Sequence, residues 1–349
     1  MSASFAKGGL AGILLGLLAL QAPATAAAMQ AEDGEGAYAD MPQIPPIGAR
    51  IGKYLDVPPA AMGAAGDPSK GYRLEDLGQG LYMITNGGYQ SMFLVHQDGV
   101  IVVDAPPSYA PHIRGAIAEV TDKPITHLVY SHAHADHIGG ASQLGPVPVI
   151  IAHSETKRLL LRAKDPTRPP PTVTFDDQYV LRVGGEVLEL SYHGVAHDPG
   201  NIFIYAPTQK TLMVVDMVSP GWMPFRRLSI AQDIPGYYEQ VALIETLPFE
   251  TLVGGHVART GTHADVQLQL AFMADLKTAA GQGLKTTQPG QGLDPRDAAN
   301  PWAGADDFLD RAAIACVNSL QASWSRRLAG YDAFIWDQCY AVQQSLLMD

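Results

Sequence analysis

Residues 131–140 read S-H-A-H-A-D-H-I-G-G. Four metal-capable side chains, His132, His134, Asp136 and His137, fall within six residues. Imidazole and carboxylate are ligands that suit a borderline metal such as zinc. The stretch leaves an apolar run at 125–130 that reads as a buried strand, so a rigid sheet fixes the root of the loop. In extended chain, side chains two apart share a face, and His132 and His134 can reach one metal together. Asp136 and His137 come where the chain turns, ahead of Gly139 and Gly140, and can face a second.

Outward from this loop, short strands alternate with helices. Strands are expected at 81–85, 91–96 and 100–103, parted by the turn signals Gly87-Gly88 and Asp98-Gly99. A helix at 111–120 carries Ile113, Ile117 and Val120 on one face. A strand at 147–152 is followed by a helix with Ser154 as its N-cap. A Pro-rich loop covers 165–177. Strands follow near 179–183, 186–193, 201–206 and 211–216, then a helix at 237–247, a strand at 251–254 and a long amphipathic helix at 263–280. Tight turns make the early strands antiparallel, which argues against a simple parallel sheet. Two mixed sheets face to face, with helices outside, fit the order.

The chain of 349 residues is 47% hydrophobic, enough for a sizeable core, and its formal charge is −12. No Lys/Arg cluster stands out, which argues against a nucleic-acid partner and leaves a small-molecule substrate. Lys7, the apolar stretch 10–20 and Ala24-Thr25-Ala26 form a secretory signal with a cleavage site, expected to span 1–26. The apolar stretch is short for a membrane span, so no stable membrane insertion is expected after cleavage, and the protein is expected to be periplasmic or secreted. Residues 27–70 are a Pro/Ala-rich arm, 71–282 the main domain, 283–303 a Gly/Pro-rich linker and 304–349 a pair of helices. In that pair Phe308, Ala312, Cys316, Leu320 and Trp324 recur at i+4; Gly330 ends the first helix and Asp332 caps the second. Cys316 and Cys339 lie on facing sides but at different distances from the turn, leaving disulfide and free thiols equally open. Composition does not fix the oligomeric state.

Four ligands cannot hold two metals, and three further positions stand at the mouths of apolar strands: His197 in H-D-P-G-N, Asp216 after Leu212-Met-Val-Val, and His256 in V-G-G-H. With H-x-H-x-D-H and with Asp104 at the end of an early strand, the set resembles the metallo-β-lactamase superfamily, over about 72–280. The resemblance implies an α+β fold, a four-layer αββα sandwich, here with a C-terminal helical hairpin. It implies that His132, His134 and His197 hold one Zn2+, that Asp136, His137 and His256 hold a second, and that Asp216 bridges them. Iron or manganese are alternatives. Asp104 would tie down the ligand loop from behind.

The expected function is an exported dinuclear zinc hydrolase in which a hydroxide shared by two metals attacks a lactone, ester or amide carbonyl. Asp136 is the catalytic candidate, orienting that hydroxide or passing a proton. Trp222, Phe225, Arg226 and His193 are candidate substrate contacts, with the Ser91 region and Tyr109 on an opposite wall. Three alternatives stay open: a periplasmic metallo-β-lactamase, a mononuclear iron redox enzyme of the same fold, and a non-catalytic binding protein.

Overall fold

The computed structural model describes residues 54–349. The expected signal peptide, and the arm up to residue 53, lie outside the described residues.

The first sheet opens with a meander, β1 (Arg73–Gly78), β2 (Leu81–Thr85), β3 (Gln90–His96) and β4 (Gly99–Val103). It continues in parallel through β5 (Ile125–Val129), β6 (Val149–His153) and β7 (Val173–Phe175). The second sheet runs β12-β11-β10-β9-β8, from β8 (Gln178–Val183), β9 (Glu186–Ser191), β10 (Phe203–Ala206), β11 (Thr211–Met213) and β12 (Thr251–Val253). Only β11 and β12 pair in parallel there. The helices are α1 (Ala110–Ala118), α2 (Ala135–Ile138), α3 (Ser154–Ala163), α4 (Ile234–Glu245), α5 (His263–Thr286), α6 (Pro301–Trp324) and α7 (Tyr331–Met348).

Strand alternation builds the layers. On β2 and β4, Leu81, Met83, Ile101 and Val103 point between the sheets, where they meet Leu188, Leu190, Ile204, Met213 and Val253. The intervening Ile84, Val100 and Val102 face outward and pack under Ile113, Ala116 and Ile117 of α1. On the other side, Leu212 and Val214 face a third core with Val241 and Ile244 of α4, Phe272 and Leu276 of α5, and Cys316 and Trp324 of α6. Each fully buried aliphatic here contributes roughly 1.5–3 kcal/mol. The result is the αββα sandwich, with the two C-terminal helices joined to its outer helical layer.

Several boundaries differ from the sequence reading. β1 carries Arg73, Glu75 and Asp76, and as a half-buried edge strand it lacks the apolar run that marks a central one. β7 is three residues inside the segment read as a loop, too short to leave a periodic signal. The cap of α3 is His153, whose side chain accepts the Glu155 amide hydrogen at 3.1 Å, and Ser154 is already helical. α5 continues to Thr286, into the segment read as a linker, and α6 starts at Pro301. Gly330, at φ +70°, leads into α7, while Asp332 accepts from the Leu55 amide at 2.9 Å instead of capping the helix. Cys316 and Cys339 are joined as a disulfide, with Cα atoms 6.0 Å apart.

Candidate metal centre

Strand ends deliver the site. Parallel pairing of β4 with β5 puts Asp104 beside the loop that carries His132 to His137, and parallel pairing of β11 with β12 puts Asp216 beside His256. The two edges are tied where Gln90 donates its amide hydrogen to the Gly255 carbonyl at 2.7 Å. Gly255, at φ +83°, lies so close to the chain leaving β11 that an added Cβ would meet Val215 at 2.6 Å. That contact explains the second glycine of V-G-G-H, and at the first, Gly254, an added Cβ would meet the Val218 carbonyl oxygen at 2.3 Å.

The seven expected ligands converge. His132, His134, His197 and Asp216 offer ligand atoms within 4.8 Å of one another, and Asp136, His137 and His256 form a second such group. Asp216 lies between them. Its Oδ2 is 3.1 Å from both His197 Nε2 and His137 Nε2, and its Oδ1 is 3.0 Å from His256 Nε2. Within the first group, His197 Nε2 lies 3.0 Å from His134 Nδ1 and 3.3 Å from His132 Nε2.

This arrangement suits a cation. His197 donates its Nδ1 hydrogen to the Ser229 carbonyl at 2.6 Å, so its neutral tautomer aims a lone pair at two other imidazole nitrogens and a carboxylate. Ligands about 2.0–2.1 Å from a tetrahedral ion would stand about 3.3 Å from one another, close to the 3.0 and 3.3 Å seen here. The His137 Nδ1 is buried without a partner, a cost that locking its other nitrogen onto a metal offsets. Burial, reinforced by His197, holds His132 well below the usual imidazole range and His134 down to about 4. Both are therefore neutral, as ligands must be. Burial also pulls on His197, His256 and Asp216, but the attraction between carboxylate and imidazoles outweighs it: both histidines are held up and Asp216 well down.

Other groups fix the ligands. Asp104, fully buried at φ +60°, accepts the Ser131 amide hydrogen at 2.8 Å and so pins the ligand loop. Burial raises its carboxyl to about 6. Asp198, next to His197, accepts from Gln232 at 3.0 Å and lies 3.6 Å from His134 Nε2, the nitrogen facing away from the site. Sequence reading passed over Asp198, although its place beside a ligand histidine was a signal.

His197 leans on an unusual segment, Arg226–Ile230. Arg227, Leu228, Ser229 and Ile230 all have φ between 51° and 58°, a left-handed helical turn with no glycine. Each such residue costs roughly 1–2 kcal/mol, so the turn exists only because its surroundings hold it.

A cavity of about 330 Å³ opens over the ligands. Its floor includes His134, Asp136, His197, Asp216 and His256, and its walls are Tyr89, Trp222, Met223, Phe225, Ile230 and Phe334. Trp222 and Phe225 stand where expected. Arg226 does not: it pairs with Asp337 of α7 at 2.8 Å and its guanidinium lies 5.8 Å from the Phe334 ring centroid. His193 packs on Phe203 and bonds Ser191 at 2.9 Å, away from the cavity wall. Ser91 and Tyr109 are buried and bonded to each other at 3.0 Å, so they form no opposite wall. Tyr89 takes that place, its ring 4.7 Å from that of His256. Burial, then Asp136, raises the Tyr89 phenol above its usual value, so it stays protonated.

Residues 85–256 match the family model of the Metallo-beta-lactamase superfamily. Over 180 residues, 45% of this chain, the sequence is 27% identical to the 2,4-dinitroanisole O-demethylase subunit alpha of Nocardioides sp. (strain JS1661). That match spans 55% of the Nocardioides protein's own length. Over 170 residues it is 24% identical to the Metallo-beta-lactamase type 2 of Elizabethkingia meningoseptica, covering 46% of this chain and 68% of that one. In fold, the chain is similar to the solved metallo-beta-lactamase from Pontibacter korlensis, with a TM-score of 0.50 at 18% identity, covering 58% of this chain and 99% of that one.

Proposed function

Residues 85–256 form a domain of the metallo-beta-lactamase superfamily, and from that premise we propose that this metal-dependent hydrolase is an exported enzyme that uses two zinc ions on the carbonyl of an apolar lactone, ester or amide. The carrying observation is the Asp216 carboxylate set between two ligand groups on the floor of an apolar cavity. The buried His/Asp donor set fits zinc, with iron or manganese as alternatives. His132, His134 and His197 would hold one ion, Asp136, His137 and His256 the other, and Asp216 both. When bound, such ions lower the pKa of water toward neutrality and act as Lewis acids on a substrate oxygen.

The chain supplies the rest. Trp222, Phe225 and Phe334 give the substrate's apolar part an aromatic slot, removing it from water. Asp136, half-exposed at the mouth, is the carboxylate best placed to take a proton from water and return it to a leaving group. The Tyr89 phenol, on the adjoining wall, would steady it. Export rests on Lys7, the apolar stretch 10–20 and the A-T-A at 24–26. Among the described residues, no helix is long and apolar enough to cross a membrane.

The test is a panel assay of protein loaded with Zn2+ and the same protein after chelation. The panel holds aryl esters, alkyl lactones, a chromogenic cephalosporin and 2,4-dinitroanisole, the compound in the Nocardioides relative's name. Chelator-sensitive turnover of esters or lactones is expected. Turnover of the cephalosporin alone would move the assignment to β-lactamase. Failure on every carbonyl substrate with two zincs bound per chain would overturn it.

A further inference from the structure

We propose that Gln338, on the C-terminal helix α7, is a positioning residue for the metal centre, acting through the left-handed turn that holds His197. The inference rests on the proposed role of His197 as a metal ligand. Gln338 is fully buried and all its hydrogen bonds go to one segment. Its Oε1 accepts the Leu228 amide hydrogen at 2.6 Å, and its Nε2 donates to the carbonyls of Pro224 at 2.6 Å and Phe225 at 3.1 Å. The next residue of the turn, Ser229, presents the carbonyl that receives the His197 Nδ1 hydrogen. One amide thus braces both the entry and the middle of a turn that L-residues disfavour, one peptide from the group that sets the His197 tautomer.

The neighbours of Gln338 pin the same place. Asp337 pairs with Arg226 at 2.8 Å, Phe334 meets Phe225 with ring centroids 5.1 Å apart, and Cys339 is joined to Cys316 of α6. None of these C-terminal residues lies within 85–256, the stretch matching the family model. The helix pair is in this way a working part of the centre, because the groups orienting a ligand govern metal affinity as the ligand itself does.

The test compares wild type with Gln338→Met, Gln338→Glu and Gln343→Met, measuring Zn2+ affinity by competition with a chromogenic chelator and the visible spectrum of the Co2+ form. Gln343 is the control: it is equally buried on the same helix, but bonds the Leu309 carbonyl of α6 at 2.8 Å. Gln338→Met should weaken Zn2+ roughly ten- to a hundredfold and alter the Co2+ ligand-field bands, with Gln343→Met within about threefold of wild type. Affinity of Gln338→Met within threefold of wild type overturns the proposal, as does an equal loss in Gln343→Met. If Gln338→Met does not fold, Gln338→Glu carries the test. Its protonated carboxyl can both accept from Leu228 and donate to a carbonyl, so its affinity relative to wild type should recover as pH falls from about 8 to 6. A ratio of one at every pH overturns the proposal. Wild type that binds no Zn2+ overturns the hydrolase reading itself.

Discussion

At the scale of residues, the proposed function divides the cavity into walls that would receive the substrate's apolar body and a floor that would act at its reacting end, and kinetics can separate them. Phe225 belongs to the wall, so on the proposed reading Phe225→Ala should raise KM severalfold for apolar esters and leave kcat close to wild type, the pattern of uniform binding. Tyr89→Phe keeps the ring against His256 but removes the hydroxyl proposed to steady Asp136 across the same cavity. One hydrogen bond worth about 1.4 kcal/mol in the transition state corresponds to a tenfold drop in kcat, with KM little changed. Steady-state assays on one aryl ester decide both; a Tyr89→Phe enzyme with wild-type kcat removes Tyr89 from the mechanism. The ligands themselves are legible in the sequence because their chemistry is written in residue type, and strand mouths tell which His and Asp to choose. Tyr89 and Phe334 are not, since a wall residue is chosen by what the fold places opposite it. Arg226 misleads for the same reason: nothing in its own loop reveals that Asp337, more than a hundred residues later, claims its charge.

At the scale of elements, the helix pair shows how one boundary governs a covalent link. If the first helix ran to Gly330, Cys316 would sit much further from the turn than Cys339. It ends at Trp324 instead, so Cys316 and Cys339 each lie eight residues from the helix end that faces the turn, and the two stand level. The apolar stripe is readable at i+4, but the end of the helix is not, because residues 325–330 offer no proline and the only glycine comes last. Cross-linking residues 23 apart removes chain entropy from the unfolded state amounting to about 3 kcal/mol. Reduction, or the Cys316→Ala/Cys339→Ala pair, should lower the urea midpoint accordingly. An unchanged midpoint would mean that the unfolded chain already keeps these two helices close, so that the bond removes no further entropy from it.

At the scale of the whole molecule, the sandwich itself follows from the order of strands and turns, since each β-strand's alternation assigns one face to the space between the sheets and one to a helix. What no single stretch could reveal is that the metal centre is also the seam between the two sheets. His132, His134, Asp136 and His137 come from the first sheet, and His197, Asp216 and His256 from the second. Without a cation this seam gathers five imidazoles and two carboxylates, and the nitrogens of His132, His134 and His197 face one another, with His132 and His197 fully buried. A metal that binds this arrangement and not the unfolded chain must therefore stabilise the whole fold. At free Zn2+ a hundredfold above its dissociation constant, one site adds about 2.7 kcal/mol, and the melting temperature should climb with Zn2+ concentration until both sites fill. Chelated protein titrated with Zn2+ in a thermal scan tests this directly. His132→Ala should flatten the response while leaving the metal-free melting temperature equal to or above that of wild type, because it relieves the crowding of buried nitrogens. A melting temperature indifferent to Zn2+ in the wild type, with zinc shown to be bound, would mean that the unfolded chain binds zinc as tightly as the folded one, and would overturn the claim that the fold builds the site.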